Sequence, residues 1–265
     1  MTPTIDLLAS HRSDRSFHST PVSDEHLDAI LRTGHLAPTS FNAQHISVVV
    51  VRDANTRQRI AAVAGGQPWI VSAPVFITLV VDFHKTAVGA ALNGQQQQIQ
   101  RHLEGLIAAS TDGGIILSTL MIAARSLGLG VVPVGGIRAN AEAMIELLGL
   151  PEQTFALCGL ALGHVHEPAA QKPRMGIEAF RHDERYNRAA LAPAISAYDQ
   201  HLMRHGTDHI HVMRDKQVAQ APFTLQALQQ FQHLLLDGDI QGAGGLVQHQ
   251  QLWLDHQGPG NGDAL

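Results

Sequence analysis

The chain alternates short β-branched runs with longer segments whose apolar residues recur every three or four positions. The strand-like runs are 46–51, 74–81, 131–134 and 155–162, each rich in Val, Ile or Leu. Helical spacing begins at 2–8, where Thr2 offers a cap and Pro3 sits in the first turn. Ser23 caps a second helix through Arg32, with Leu27, Ile30 and Leu31 on one side and Gly34 past its end. A short helix over 56–64 closes at Gly65 and Gly66. Thr111 and Asp112 open the clearest helix, which carries Ile116, Leu117, Leu120, Met121 and Ala124 and stops at Leu127-Gly128. It is apolar around most of its circumference, as expected of a central helix or one shared between subunits. Asn140 caps a helix to Leu148-Gly149, 191–205 reads as helical, and 228–236 has the spacing for one more. The glutamine-rich stretch 93–100 reads as a helix start or a mobile excursion.

No internal repeat and no separating linker interrupts this alternation, so the pattern predicts one α+β domain with C-terminal elaborations. The expected divisions are a core over 1–190, a helical extension over 191–257 and a disordered tail over 258–265, where Gly258, Pro259, Gly260 and Gly262 crowd together.

With 45% hydrophobic residues, 265 residues can bury a sizeable core. Eighteen basic and 23 acidic side chains give a net charge of −5 without any lysine or arginine cluster, which argues against nucleic acid as a partner. The apolar run 71–81 is about half the length that spans a bilayer and contains Pro74, so no membrane partner is expected. The N-terminus lacks the pattern of a secretory leader, and a cytoplasmic location follows as an expectation. Cys158 is the single cysteine, which excludes an intrachain disulfide. Its apolar neighbours predict a buried, structural thiol.

Several reaction classes fail on their motifs. Gly128-Leu-Gly130 lacks the third glycine of a dinucleotide fingerprint and precedes a strand rather than following one. There is no Gly-x-x-x-x-Gly-Lys phosphate loop and no Gly-x-Ser-x-Gly elbow. The 17 histidines are spread along the chain without a His-Glu-x-x-His pair. Zinc held by His201, His205, His209 and His211 is the weaker reading beside compositional bias, and no metal is expected.

Three features remain that could hold an anion together. One is His11-Arg12-Ser13-Asp14-Arg15, at the end of the opening helix; another is Lys172-Pro173-Arg174, after the fourth strand. The third is Gly135-Gly136, closing the third strand with backbone N–H groups. Charge-assisted contacts of this kind hold phosphates. By themselves the two basic segments read more readily as solvated loops.

Arg12-Ser13-x-Arg15-x-Phe17 resembles the opening signature of the nitroreductase and NADPH:flavin oxidoreductase family. So does Ala37-Pro38-Thr39-Ser40-Phe41-Asn42-Ala43-Gln44. Gly65-Gly66-Gln67, Ala123-Ala124-x-x-Leu127-Gly128-Leu129-Gly130, Gly135-Gly136-Ile137-Arg138 and Lys172-Pro173-Arg174 follow in the family's order. The likeness covers about residues 1–190 and is greatest to the larger, oxygen-insensitive NADPH nitroreductase subgroup.

The resemblance implies an intertwined α+β homodimer whose central, mainly antiparallel sheet is flanked by helices, with FMN at the subunit interface. By position, His11, Arg12, Ser13, Lys172 and Arg174 would surround the phosphate and ribityl chain. Arg15 and Gln67 would meet the pyrimidine edge of the ring. Pro133, Val134, Gly135 and Gly136 would pass its dimethylbenzene and N5 side, with Ser40 and Asn42 arriving from the partner. Arg15 would support negative charge near N1 and O2, and no side chain need act as acid or base, since the cofactor carries the redox step. The implied activity is ping-pong hydride transfer from NADPH or NADH to nitroaromatics, quinones or similar small acceptors. Supplying free reduced FMN, or binding flavin without catalysis, are the alternatives. The subgroup's arginines for the adenosine end of NADPH are largely replaced by histidines over 203–214, which leaves the choice of nicotinamide open.

Overall fold

The computed structural model describes residues 2–205. Its elements are α1 (Pro3–Ala9), β1 (Ser16–Phe17), α2 (Asp24–His35), β2 (Ile46–Val51), α3 (Ala54–Val63), α4 (Pro68–Ser72) and β3 (Val75–Asp82). They continue with α5 (Phe83–Leu92), α6 (Leu103–Ser126), β4 (Gly130–Val134), α7 (Ala141–Leu148), β5 (Thr154–Gly163), β6 (Val165–Glu167) and α8 (Leu191–His205). The four long strands form one sheet in the order β2-β3-β5-β4, every pair antiparallel. β1 and β6 make a separate antiparallel ribbon.

Helices cover both faces of the sheet, as the α+β pattern predicts. Val75, Ile77, Leu79 and Val81 of β3 face the side of α2 and α6, while Phe76 faces α3, α4 and α7. A strand buried on both faces has no polar side to alternate with, which is why β3 reads as an apolar run interrupted only by the buried Thr78. Leu79 pairs with Cys158 and Val80 with Ala156, so Leu157 is a bulge residue in β5.

The capping residues read from the sequence close as expected: Ser23 Oγ accepts from His26 N, Asn140 Oδ1 from Ala143 N, and Gly149 ends α7 at φ 60°. Several expectations need correction. Gly34 lies inside α2, because a Cβ there would come within 2.5 Å of Leu120 Cδ2 and push α2 off α6. α6 begins at Leu103 rather than at Thr111; Asp112 is a buried mid-helix residue, not a cap. α4 and α5 escape the periodicity, the first for its shortness and the second for its small residues. The stretch 93–100 starts no α-helix and leads into a single 3-10 turn at Ile99–Arg101. The expected helix at 228–236, the tail over 258–265 and most of the 191–257 extension lie outside the described residues.

Among the described residues α6, rather than 71–81, is the longest apolar element. One side packs on the sheet through Ala109, Ile116, Leu120 and Ala124, while Leu103, Ile107 and Ile115 stand exposed at successive four- and eight-residue steps.

Candidate functional site

The segment after α1 is fixed by a buried carboxylate. Asp14 is 3% exposed, and its backbone N–H donates to the Val131 carbonyl at the start of edge strand β4 (3.1 Å). Its Oδ1 accepts from Arg12 Nε (3.3 Å) and from Ala169 N (3.2 Å). That carboxylate therefore ties residues 12–14 both to β4 and to the segment that leads into Lys172. Gln171 adds a second tie, donating from Nε2 to the carbonyls of Ala9 (2.8 Å) and His11 (3.4 Å). His11-Arg12 and Lys172-Pro173-Arg174, some 160 residues apart in the chain, thus lie side by side.

Arg125, near the end of α6, anchors the same place from below. Its Nη1 donates to the Leu7 carbonyl (2.7 Å), and its Nη2 to the Ser10 carbonyl (3.0 Å) and hydroxyl (2.9 Å). Those acceptors sit at the C-terminal end of α1, where carbonyls lack helical partners and favour a cation. The result is an excess of positive charge around one buried carboxylate. His11 records it: burial, then the guanidinium groups of Arg125 and Arg174, hold its pKa below the ordinary 6.5, with Asp14 opposing them.

Further along β4 lies a second group. The Arg15 guanidinium sits 5.1 Å from the centroid of the Trp69 ring, a cation–π distance, while its Nη1 donates to the Ser13 carbonyl (3.3 Å). Trp69 follows Gln67, whose Nε2 donates to the Ala64 carbonyl (3.0 Å) and packs against Gly136 so closely that a Cβ at 136 would lie 2.7 Å from it. Pro133 is exposed on β4, an edge strand where the absence of its N–H costs no ladder bond. Val134, Gly135 and Gly136 lead from it into a 3-10 turn. From Val131 to Val134 the strand spans about 10 Å, and the glycines follow directly. Cations lie at its start, and a stacked guanidinium, a primary amide and glycine backbone at its end.

Ser40 and Asn42 do not join this array within one chain. Ser40 is bonded to Asp112 on α6, while the cationic group is bonded to Arg125, thirteen positions on, which is about 20 Å along the helix axis. Cys158 is half-buried in β5, and burial raises its thiol pKa, in keeping with a structural residue. Among the described residues no group of His, Cys, Asp or Glu could hold a metal ion. A separate cleft of about 220 Å³ between α2, α6 and β2, lined by Leu31, His35, Thr39, Lys85 and Leu120 among others, lies on the Ser40 side.

Asp14, Trp69, Asp112, Arg125 and Gln171 are the residues that sequence reasoning passed over. A lone arginine and a lone aspartate in a helix whose one other charge is Glu104 were the available signals for two of them.

Residues 8–164 match the profile of the Nitroreductase family. The chain belongs to that family. Among its relatives, an FMN reductase [NAD(P)H] of Bacillus subtilis (strain 168) is 41% identical over 204 residues, 76% of this chain and 82% of the relative. An oxygen-insensitive NADPH nitroreductase of Salmonella typhimurium is 31% identical over 86% of this chain and 97% of its own length. The crystal structure of nitroreductase A from Vibrio parahaemolyticus RIMD 2210633 superposes with a TM-score of 0.79 at 32% identity, covering 89% of this chain and 98% of that one. The nitroreductase fold therefore extends over nearly the whole described part of the chain, and the cationic group and β4 edge lie within or just beyond the matched segment.

Proposed function

We propose that this nitroreductase-family chain is an FMN-dependent NAD(P)H oxidoreductase that works as a homodimer, in the cytoplasm where reduced nicotinamides occur. The observation that carries the reading is the pair of cationic segments, His11-Arg12 and Lys172-Arg174, clamped together by Asp14 and Gln171 at one end of β4. The donor set fits FMN: cations for a phosphate, then a polar, planar cleft edge for a ring system.

In this reading His11, Arg12, Ser13, Lys172 and Arg174 bind the phosphate and the chain next to it. Arg15, held over Trp69, presents fixed positive charge to the pyrimidine edge, with Gln67 beside it. Pro133, Val134, Gly135 and Gly136 give a wall with little side-chain bulk, so that backbone N–H groups can approach the ring. FMN, when bound, supplies the two-electron chemistry itself. The protein orients it, shields it from water and stabilises charge. Ser40 and Asn42 complete the site from the second subunit, a reading supported by their separation from the cationic group along α6 and by the exposed stripe of Leu103, Ile107 and Ile115 as an interface. Nicotinamide and acceptor use the same cleft in turn, and nitroaromatics or quinones are the acceptors.

The test is the absorption spectrum of the purified protein. It carries a flavin band that bleaches on anaerobic addition of NADPH or NADH and returns on addition of a nitroaromatic. A flavin band that neither nicotinamide bleaches would instead assign a binding protein. A second reading, delivery of free reduced FMN, is favoured by the name of the 41% identical relative, an FMN reductase. Parallel lines in steady-state plots with nitroaromatic, and slow turnover with excess free FMN, separate the two.

A further inference from the structure

Asp112 is 2% exposed in the middle of α6, the longest helix among the described residues. Among the described residues no side chain forms an ion pair with it, although its charge is felt by the nearby His45 imidazole. Both of its oxygens turn to one residue instead: Ser40 N lies 2.9 Å from Oδ1 and 3.1 Å from Oδ2, and Ser40 Oγ donates to Oδ1 at 2.9 Å. A buried carboxylate without a cation is a poor choice for stability alone, since apolar packing would serve the core better.

The loop that Ser40 opens explains the choice. Phe41, Asn42 and Gln44 have φ of 53°, 54° and 56°, left-handed values that L side chains seldom adopt. Asn42 N donates to the Thr39 carbonyl, Ala43 N to the Ser40 carbonyl and Gln44 N to Thr39 Oγ1, so the strained turn is closed on itself. Its tip is pushed outward: Phe41 is fully exposed and Asn42 is exposed. An apolar ring displayed on a strained, clamped loop serves nothing in its own subunit. The same helix exposes Ile107 and Ile115 beside it. Were two copies to pair through antiparallel α6 helices about a two-fold axis crossing between 112 and 125, the loop of each would meet the cationic group of the other.

We propose that Asp112 is a positioning residue that acts in trans, locking the 39–44 loop of one subunit into the shape that the flavin site of its partner requires. The proposal rests on the FMN reading above. It also assigns Ser40 a narrower part: its hydroxyl hydrogen is committed to Asp112, so towards a ligand it can only accept.

Mixed dimers test it. Subunits carrying Arg12→Ala and subunits carrying Asp112→Ala are co-expressed with different affinity tags, and the doubly tagged species is titrated with FMN by fluorescence quenching. The Asp112→Ala homodimer is expected to keep its dimer mass and to bind FMN about 10- to 100-fold more weakly, the usual loss when a group that orients a direct contact is removed. In the mixed dimer one site then combines both lesions and the other has none, so half of the sites bind with wild-type affinity. Uniformly weakened binding would mean that the loop acts within its own subunit and would overturn the proposal. Wild-type affinity in the Asp112→Ala homodimer would overturn it as well. Should Asp112→Ala fail to fold, Asp112→Asn keeps the volume and one acceptor, and the same half-site result is expected at a smaller contrast. A wild-type protein that takes up no FMN would sink the FMN reading instead, a distinguishable outcome.

Discussion

Arg125→Ala isolates how the cationic site is held. α1 has no buried residue, and at seven residues it is too short to persist unaided. Its C-terminal end is fixed to α6 by the three hydrogen bonds of Arg125, one part-buried and two exposed. At about 1 kcal/mol for the part-buried bond and about 0.5–1 kcal/mol for each exposed one, the guanidinium contributes about 2–3 kcal/mol to docking α1. Removing it frays α1 locally rather than unfolding the sheet. His11 and Arg12, directly after the frayed turn, must then be ordered by the ligand. FMN affinity should fall by about 30- to 150-fold, the same free energy expressed at about 1.4 kcal/mol per factor of ten. Arg125→Lys, which can reach only part of the acceptor set, should fall between the two. The assays are FMN titration by fluorescence quenching and hydrogen exchange at the α1 amides. An Arg125→Ala protein with α1 amides newly exposed and FMN affinity within about twofold of wild type would refute the reasoning.

The ordinary value of a free histidine, 6.5, lies above that of His11, so its charge opposes the apo fold, and apo stability should decline as pH falls through 6.5. A bound phosphate reverses that penalty, so wild-type FMN affinity should rise from pH 8 towards pH 6.5 more steeply than in His11→Gln; equal slopes would remove His11 from the site. Gly159→Ala would drive a Cβ into the fully buried Phe76 ring and should destabilise the protein by about 1–3 kcal/mol or more in urea melts; an unchanged midpoint would contradict the packing described. Native Cys158 should react slowly with a thiol reagent at pH 8 and at the free rate in urea, because burial raises its pKa; fast native labelling would contradict that setting.

Much of the fold was legible because local chemistry and tertiary demand agree. β2, β3 and β5 are β-branched or aliphatic runs that the sheet buries, and Ser23 and Asn140 cap the helices whose starts they mark. Thr111-Asp112 misled because a polar pair before an apolar run looks like a helix start. The polarity of Asp112 answers Ser40, 72 residues away. Gly34 misled for the same reason: its partner is Leu120 on another helix, not a turn of its own. In the candidate site the residue types proposed to face the ligand were readable as motifs. The residues that bring the segments together were not. Gln171 and Arg125 act on backbone carbonyls of Ala9, His11, Leu7 and Ser10, and a carbonyl leaves no mark in sequence.

The central claim is that the clamped pair of cationic segments holds a phosphate. Comparing the dissociation constants of FMN and riboflavin on the apo protein tests it most directly, because the two ligands differ only in that group. Three or more cations at the site predict FMN binding at least about 100-fold tighter at low salt, with the preference shrinking as salt rises. Equal affinities, or a preference insensitive to salt, would contradict the account.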